Sequence, residues 1–264
     1  MLFDTPRWIT KLQEHITHGD TTFLEAYQRT GRALNICVAS EEKYSPPICL
    51  NYKTTPNVVI WSAVLASAAV PGILHAVELR SKRPDGSIEM YHGVGRRWRD
   101  GVLRTDIPTT ALHQLFGVKY TIVAQVNPHV VPFFFENRGS SGRPTLHLDG
   151  GGWRGGFVAS FLEDYLKLDM IKWLQLLQDL SLLPRVLGQD WSYVFLQQFG
   201  GTVTIVPPVR IDDYVGVISD PDEARMAHIM RRGERITWPK ISMIANRLRI
   251  ENEIAAAMRN NAAE

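Results

Sequence analysis

The sequence predicts an α/β fold followed by a mainly helical C-terminal appendage, and three observations carry that prediction. Strand-like and helix-like segments alternate from the N-terminus to Asn127, the succession expected of layered α/β structure. At about residue 137 the pattern gives way to a polar, glycine-rich run, "ENRGSSGRPTLHLDGGG". Beyond it, apolar residues recur mostly at helical spacings. The boundary divides the 264-residue chain into residues 1–136 and 137–264. With 45% hydrophobic and 21% charged residues, the chain has the composition of a folded core rather than of a disordered segment.

Taken in order, residues 6–30 read as helical, with Asp20 or Thr21 as N-cap and Gly31 as the stop. "ALNICVAS" and "PICLNY" read as two strands around a loop at "EEKYSPP". "PNVVIWSAVLASAAVPG" reads as a buried helix from Asn57 to Val70, closed by Pro71–Gly72. Its small residues Ser62, Ala63, Ala66, Ser67, Ala68 and Ala69 leave room for a neighbouring element to pack closely. Alternation on both sides of Asp85–Gly86 signals a hairpin. "RRWRDGVLRTDIPTTALHQLF" passes from a loop into a helix, with Asp106 as a candidate N-cap and Pro108 in the first turn. "KYTIVAQVN" reads as a buried strand and "GTVTIVPPV" as a strand-like piece. Trp153, Phe157, Phe161, Leu162, Tyr165, Leu166, Leu174 and Leu177 form a helical stripe, and "WPKISMIANRLRIENEIAAAMRN" reads as a C-terminal amphipathic helix.

Composition narrows the function classes. With 29 basic and 27 acidic residues the net charge is +2, so no bulk field argues for a nucleic-acid partner. Cys37 and Cys49 lie in apolar runs and read as reduced core thiols of an intracellular protein. No His/Cys/Asp/Glu cluster has metal-ligand spacing, and neither a metal nor a cofactor is expected. The N-terminus does not read as a signal peptide, and no apolar run reaches the roughly 18 residues of a spanning helix. Peripheral attachment to a lipid surface stays open.

Several stretches could carry chemistry. "HLDGGGWRGGF" has the glycine content of an anion-binding nest or oxyanion loop, and equally of a hinge leading into a helix. No serine stands in the G-x-S-x-G elbow of α/β ester hydrolases; "GSSGR" is the nearest approach and its spacing fails. Asp100–Gly101 precedes a helix and could lie at a sheet rim, where an aspartate can orient a serine hydroxyl or take its proton, although the dipeptide alone also suits a simple turn. Asp85–Gly86 has the flanks of a hairpin tip. His15 and Asp20 have a base-and-acid spacing but also suit a surface before a helix, and His129 reads as structural. The aromatic stripe of residues 153–177 is either core or a surface that enters a phospholipid monolayer, with Trp153, Phe157 and Phe161 as its candidate lipid contacts.

"NYKTTPNVVIWSAVLASAAVPGIL", "WRDGVLRTDIPTTALHQLFGVKYTIVAQVNPHVVPFFFEN" and "GWRGGFVASFLEDYLKLDM" resemble the patatin-like triacylglycerol lipases of fungi and plants, in order, over roughly Asp20 to Ile254. The resemblance implies part of a patatin-like three-layer α/β/α catalytic domain in residues 1–136, with the glycine-rich loop and helical region after it. It also implies a Ser-Asp dyad in which a G-x-S-x-G serine attacks the ester and a D-G aspartate activates it. Only the aspartate maps here, onto Asp100 with Gly101; Val102 departs mildly from the family's third residue. The chain therefore looks like the C-terminal half of a catalytic domain plus its tail, inactive alone. On this resemblance the oxyanion loop precedes the serine, so Asp149–Gly155 is expected to be a hinge. The implied substrate is triacylglycerol or another acylglycerol. The implied location is the surface of a lipid droplet or the endoplasmic reticulum, held peripherally. A non-catalytic remnant binding lipid droplets or a paralogue is the alternative, and self-association is expected of a cut sheet.

Overall fold

The computed structural model describes residues 5–42, 45–70, 74–93, 95–101, 107–126, 157–180, 200–207, 213 and 221–261. The expectation holds at the level of class: an α/β domain is followed by a helical C-terminal region. By compactness the chain divides into two units, Met1–Gly117 with Leu174–Gln198 and Val118–Trp173 with Phe199–Glu264.

The first unit begins with helix α1 (Thr5–Leu12), a π-helical turn (Gln13–Thr17) and helix α2 (Phe23–Thr30). The expected continuous helix over 6–30 is broken because His18 and Gly19 both take positive φ, 51° and 87°, which no helix propagates. The N-cap of α2 is Thr22 rather than Asp20 or Thr21. Its side chain accepts from Glu25 N–H at 3.2 Å while Glu25 Oε2 accepts from Thr22 N–H at 2.9 Å, a reciprocal capping box. Gly31 stops the helix as expected, at φ 68°.

Strands β1 (Ile36–Ser40) and β2 (Ile48–Leu50) form where two strands are expected, and pair antiparallel. Helix α3 (Ile60–Ser67) is shorter than the predicted 57–70, because Val59 is extended and bonds Arg80 O through its N–H at 2.8 Å. Strands β3 (Arg80–Lys82) and β4 (Ile88–Met90) make the predicted hairpin. Strand β5 (Trp98–Asp100), in a stretch read from sequence as loop, completes a sheet of order β2-β1-β5. The core gathers Phe23, Val38, Leu50, Val58, Ala63, Ala66, Leu79 and Trp98 between α3 and that sheet. Helix α4 (Thr109–Phe116) follows Pro108, and Asp106 lies outside the described residues.

In the second unit β6 (Ile122–Ala124) and β7 (Val203–Ile205) pair parallel. Val123 and Val203 are buried and Ile122 and Ala124 exposed, so the expected buried strand is buried on one face. Helix α5 (Phe157–Asp179) begins at Phe157 and runs through the division between the units. Helix α6 (Glu223–Thr237), which the apolar periodicity did not mark, is capped by Asp222 Oδ1 accepting from Arg225 N–H at 2.7 Å. A 3₁₀ turn (Trp238–Lys240) then leads into α7 (Ile241–Asn261), the predicted C-terminal helix. No helix among the described residues is long and apolar enough to cross a membrane.

Candidate active site

Asp100 is positioned from below by Trp98. The indole is 1% exposed in the core, and the Trp98 backbone exchanges two hydrogen bonds with Val77, each 2.8 Å, which fixes the start of β5. Two residues later Asp100 stands opposite Val38 of β1, and its N–H donates to Ala69 O, just past the end of α3, at 3.3 Å. Directly opposed residues of an antiparallel pair share a face. Asp100 therefore lies on the face of Val38 and Trp98, the face that packs against α3. It is half-buried at the last position of the strand.

Gly101 is buried, and its identity follows from the backbone beside it. A Cβ at this position would stand 2.9 Å from Cys37 O, 3.0 Å from Cys37 C and 3.2 Å from Val38 N. Those are backbone atoms of β1 and cannot rotate away. The D-G pair is thus a carboxylate at a strand end followed by the residue type that lets the chain pass close over the neighbouring strand. Small residues serve the same closeness: Ser62, Ala63 and Ala66 on α3 and Ala69 just past its end are all fully buried. A carboxylate held this way can accept a proton from a hydroxyl brought within about 2.6–3.2 Å of it.

The other sequence candidates fall into structural roles or outside the described residues. Asp85 caps the hairpin tip, its Oδ1 accepting from Ser87 N–H at 2.8 Å and Ser87 O–H at 2.6 Å, with Gly86 at φ 86°. These bonds hold the Asp85 carboxyl below the ordinary aspartate value. His15 and Asp20 are not assembled into a base-and-acid pair. The His15 side chain is exposed beside Glu14, while Asp20 Oδ1 accepts from Trp61 Nε1–H at 2.8 Å and Gln13 Nε2–H at 3.1 Å, tying α3 to the turn before α2. His129, Asp149–Gly155 and Trp153 lie outside the described residues. Phe161 on α5 is 63% exposed. Among the described residues no group of three or more His, Cys, Asp or Glu could hold a metal ion.

One arrangement went unread in the sequence. Cys37 and Cys49, taken singly as core thiols, are direct cross-strand partners on β1 and β2. Two strand-like segments around a short loop were the available signal, but the pairing depends on a register that the loop length does not fix.

Comparison with known proteins shows what the chain is similar to. Residues 2–113 match the patatin family, described as patatin-like phospholipase. The chain is 54% identical over 258 residues to a patatin-like phospholipase domain-containing protein of Pyricularia oryzae (strain 70-15), covering 97% of this chain and 32% of that protein. It is 52% identical over 262 residues to the patatin-like phospholipase domain-containing protein AN0408 of Emericella nidulans, with 99% and 35% covered. For AFUA_1G04970 of Aspergillus fumigatus the identity is 53% over 252 residues, with 96% and 35% covered. The chain thus spans about a third of the length of the curated relatives it matches. No solved structure matches it.

Proposed function

We propose that this chain is the aspartate-bearing segment of a lipid acyl-ester hydrolase of the Ser-Asp dyad type, with Asp100 as the base and triacylglycerol as the substrate. The observation that carries the reading is the D-G pair at the end of β5, inside the segment that matches the patatin-like phospholipase family. In the proposed reaction a serine hydroxyl gives its proton to the Asp100 carboxylate as its oxygen attacks the ester carbonyl. The same group then returns the proton to the leaving alcohol. No G-x-S-x-G serine stands in residues 1–264, so the nucleophile has to come from elsewhere and the chain alone does not turn over ester.

The test begins with the transcript read upstream of Met1. An in-frame G-x-S-x-G supports the reading. In a polypeptide carrying both segments, Asp100→Asn should then lower kcat by about 10²–10⁴-fold, the range a general base supplies, while leaving thermal unfolding unchanged. Unchanged turnover would remove Asp100 from the mechanism. Assay on emulsified triacylglycerol against phosphatidylcholine vesicles decides between the proposed substrate and the phospholipid of the relatives' names.

The second reading is a non-catalytic lipid-surface or partner-binding chain. The large apolar side chains exposed on α5 and α7, among them Phe161, Leu166, Trp173, Ile250 and Ile254, favour it. A genuine start at Met1 with no upstream elbow selects it.

A further inference from the structure

We propose that Cys37 and Cys49 are a peroxide-responsive thiol pair, built as direct cross-strand neighbours on β1 and β2, that closes reversibly into an intramolecular disulfide. The register sets the geometry. Cys37 pairs with Cys49 between Ile36↔Leu50 and Val38↔Ile48, so both side chains leave the same face of the sheet. Directly opposed residues have Cα atoms about 4.5–5.5 Å apart, inside the roughly 4.4–6.8 Å that a disulfide spans. Both cysteines are free and half-buried, and each shifts the acidity of the other.

The surroundings hold one member still and make it the nucleophile. Thr54 O–H and Asn51 Nδ2–H both donate to Cys49 O, at 2.9 and 3.3 Å, so the end of β2 is anchored in the turn that Asn51 organises. That turn is itself closed by Lys53 and Thr54 N–H donating to Asn51 Oδ1 at 2.9 and 3.0 Å. As a neutral thiol Cys49 donates to Asn35 Oδ1 at 3.7 Å. Interaction with the Cys37 thiol lowers Cys49 to about 7 against desolvation, with the Asn51 side chain adding to the shift. Cys37, beside that sulfur and itself desolvated, is pushed up.

The chemistry balances with a hydroperoxide as oxidant. The Cys49 thiolate attacks the peroxide, breaking its O–O bond and releasing an alkoxide or hydroxide that takes up a proton; Cys49 becomes a sulfenic acid. The Cys37 sulfur then attacks the Cys49 sulfur, loses its proton and displaces hydroxide, which leaves as water. The two thiols have supplied two electrons and two protons, and one S–S bond has formed. An excess of an external dithiol reverses the step by exchange. The pair sits beside the proposed base, since Cys37 O is the atom nearest to where a side chain on Gly101 would stand. The disulfide itself does not depend on Asp100 being catalytic.

The experiment treats the 264-residue chain with hydrogen peroxide and maps it after trypsin. The expected product is residues 33–43 joined to 44–53, two hydrogens lighter than the separate peptides and split again by dithiothreitol. Cys37→Ser should stop the reaction at a Cys49 sulfenic acid that dimedone captures, and Cys49→Ser should slow oxidation of Cys37 by at least tenfold. The proposal is overturned if the peptides do not join, if only links between chains form, or if they join no faster than in the urea-unfolded chain.

Discussion

At the scale of single residues, the site is governed by distances to backbone. Gly101→Ala places a methyl group 2.9 Å from Cys37 O with no side chain able to yield, so β5 or β1 has to shift. We expect a loss of about 1–3 kcal/mol in urea unfolding, the usual cost of overpacking a filled site. Gly86→Ala, where nothing lies within 4 Å, would differ by involving only the strain of positive φ. At the neighbouring thiols, the thiolate is the reacting form, so alkylation of Cys49 should rise with pH and level off above about 7. Cys37, shifted upward, should lag behind it throughout. A common midpoint for both residues near the ordinary thiol value would show that the two sulfurs do not interact. The D-G dipeptide was legible in the sequence as a motif, but the reason for its glycine was not, because the atom it avoids belongs to a residue more than sixty positions earlier.

At the scale of elements, caps and turns were more legible than short strands. "GDTT" offers three cap-forming side chains in a row, and the tie is broken by Glu25, three residues after Thr22. Asp20 is engaged elsewhere, by Trp61 and Gln13. Thr22→Ala should therefore cost about 1 kcal/mol in stability, as loss of an N-cap acceptor does, whereas Thr21→Ala at the expected position should cost α2 no cap. Glu25 adds a pH signature. Burial raises its carboxyl, but hydrogen bonds from Lys82 at 2.8 Å and from Thr22 outweigh that and hold it below the ordinary glutamate value. A depressed folded-state value stabilises the fold above the unfolded value and is lost as pH falls through the folded one. The stability difference between wild type and Glu25→Gln should thus shrink as pH drops below about 4.3, the ordinary glutamate value. Strand β5 escaped sequence reading because three residues are too few to establish a period of two. The one-sidedness of β6 escaped it because an unbroken apolar run reads the same whether one face or both are covered.

At the scale of the molecule, the α/β character was legible because alternating elements need no register to be recognised. The division into two units, with α5 running through it, was not, because it depends on contacts between residues far apart in sequence. Exposure of the apolar side chains of α5 is the consequence that matters most. Phe161, Tyr165, Leu166, Leu168 and Trp173 are each more than half exposed on one helix, and β2 stands at the end of the described order β2-β1-β5. Large apolar surface of this kind marks an interaction site, and an edge strand invites pairing. The chain by itself should therefore associate at micromolar concentration, and detergent micelles or a triacylglycerol emulsion should disperse it by covering the same side chains. Light scattering after size exclusion, with and without detergent, reads this directly. Phe161→Glu with Leu166→Glu should shift the chain toward monomer and weaken its flotation with the emulsion together, if one surface serves both. Relief of association with flotation unchanged would assign lipid contact to another element, with α7 the next to substitute at Ile250 and Ile254. A monodisperse monomer with cooperative unfolding, indifferent to detergent and to both substitutions, would show that the exposed stripe of α5 drives neither process.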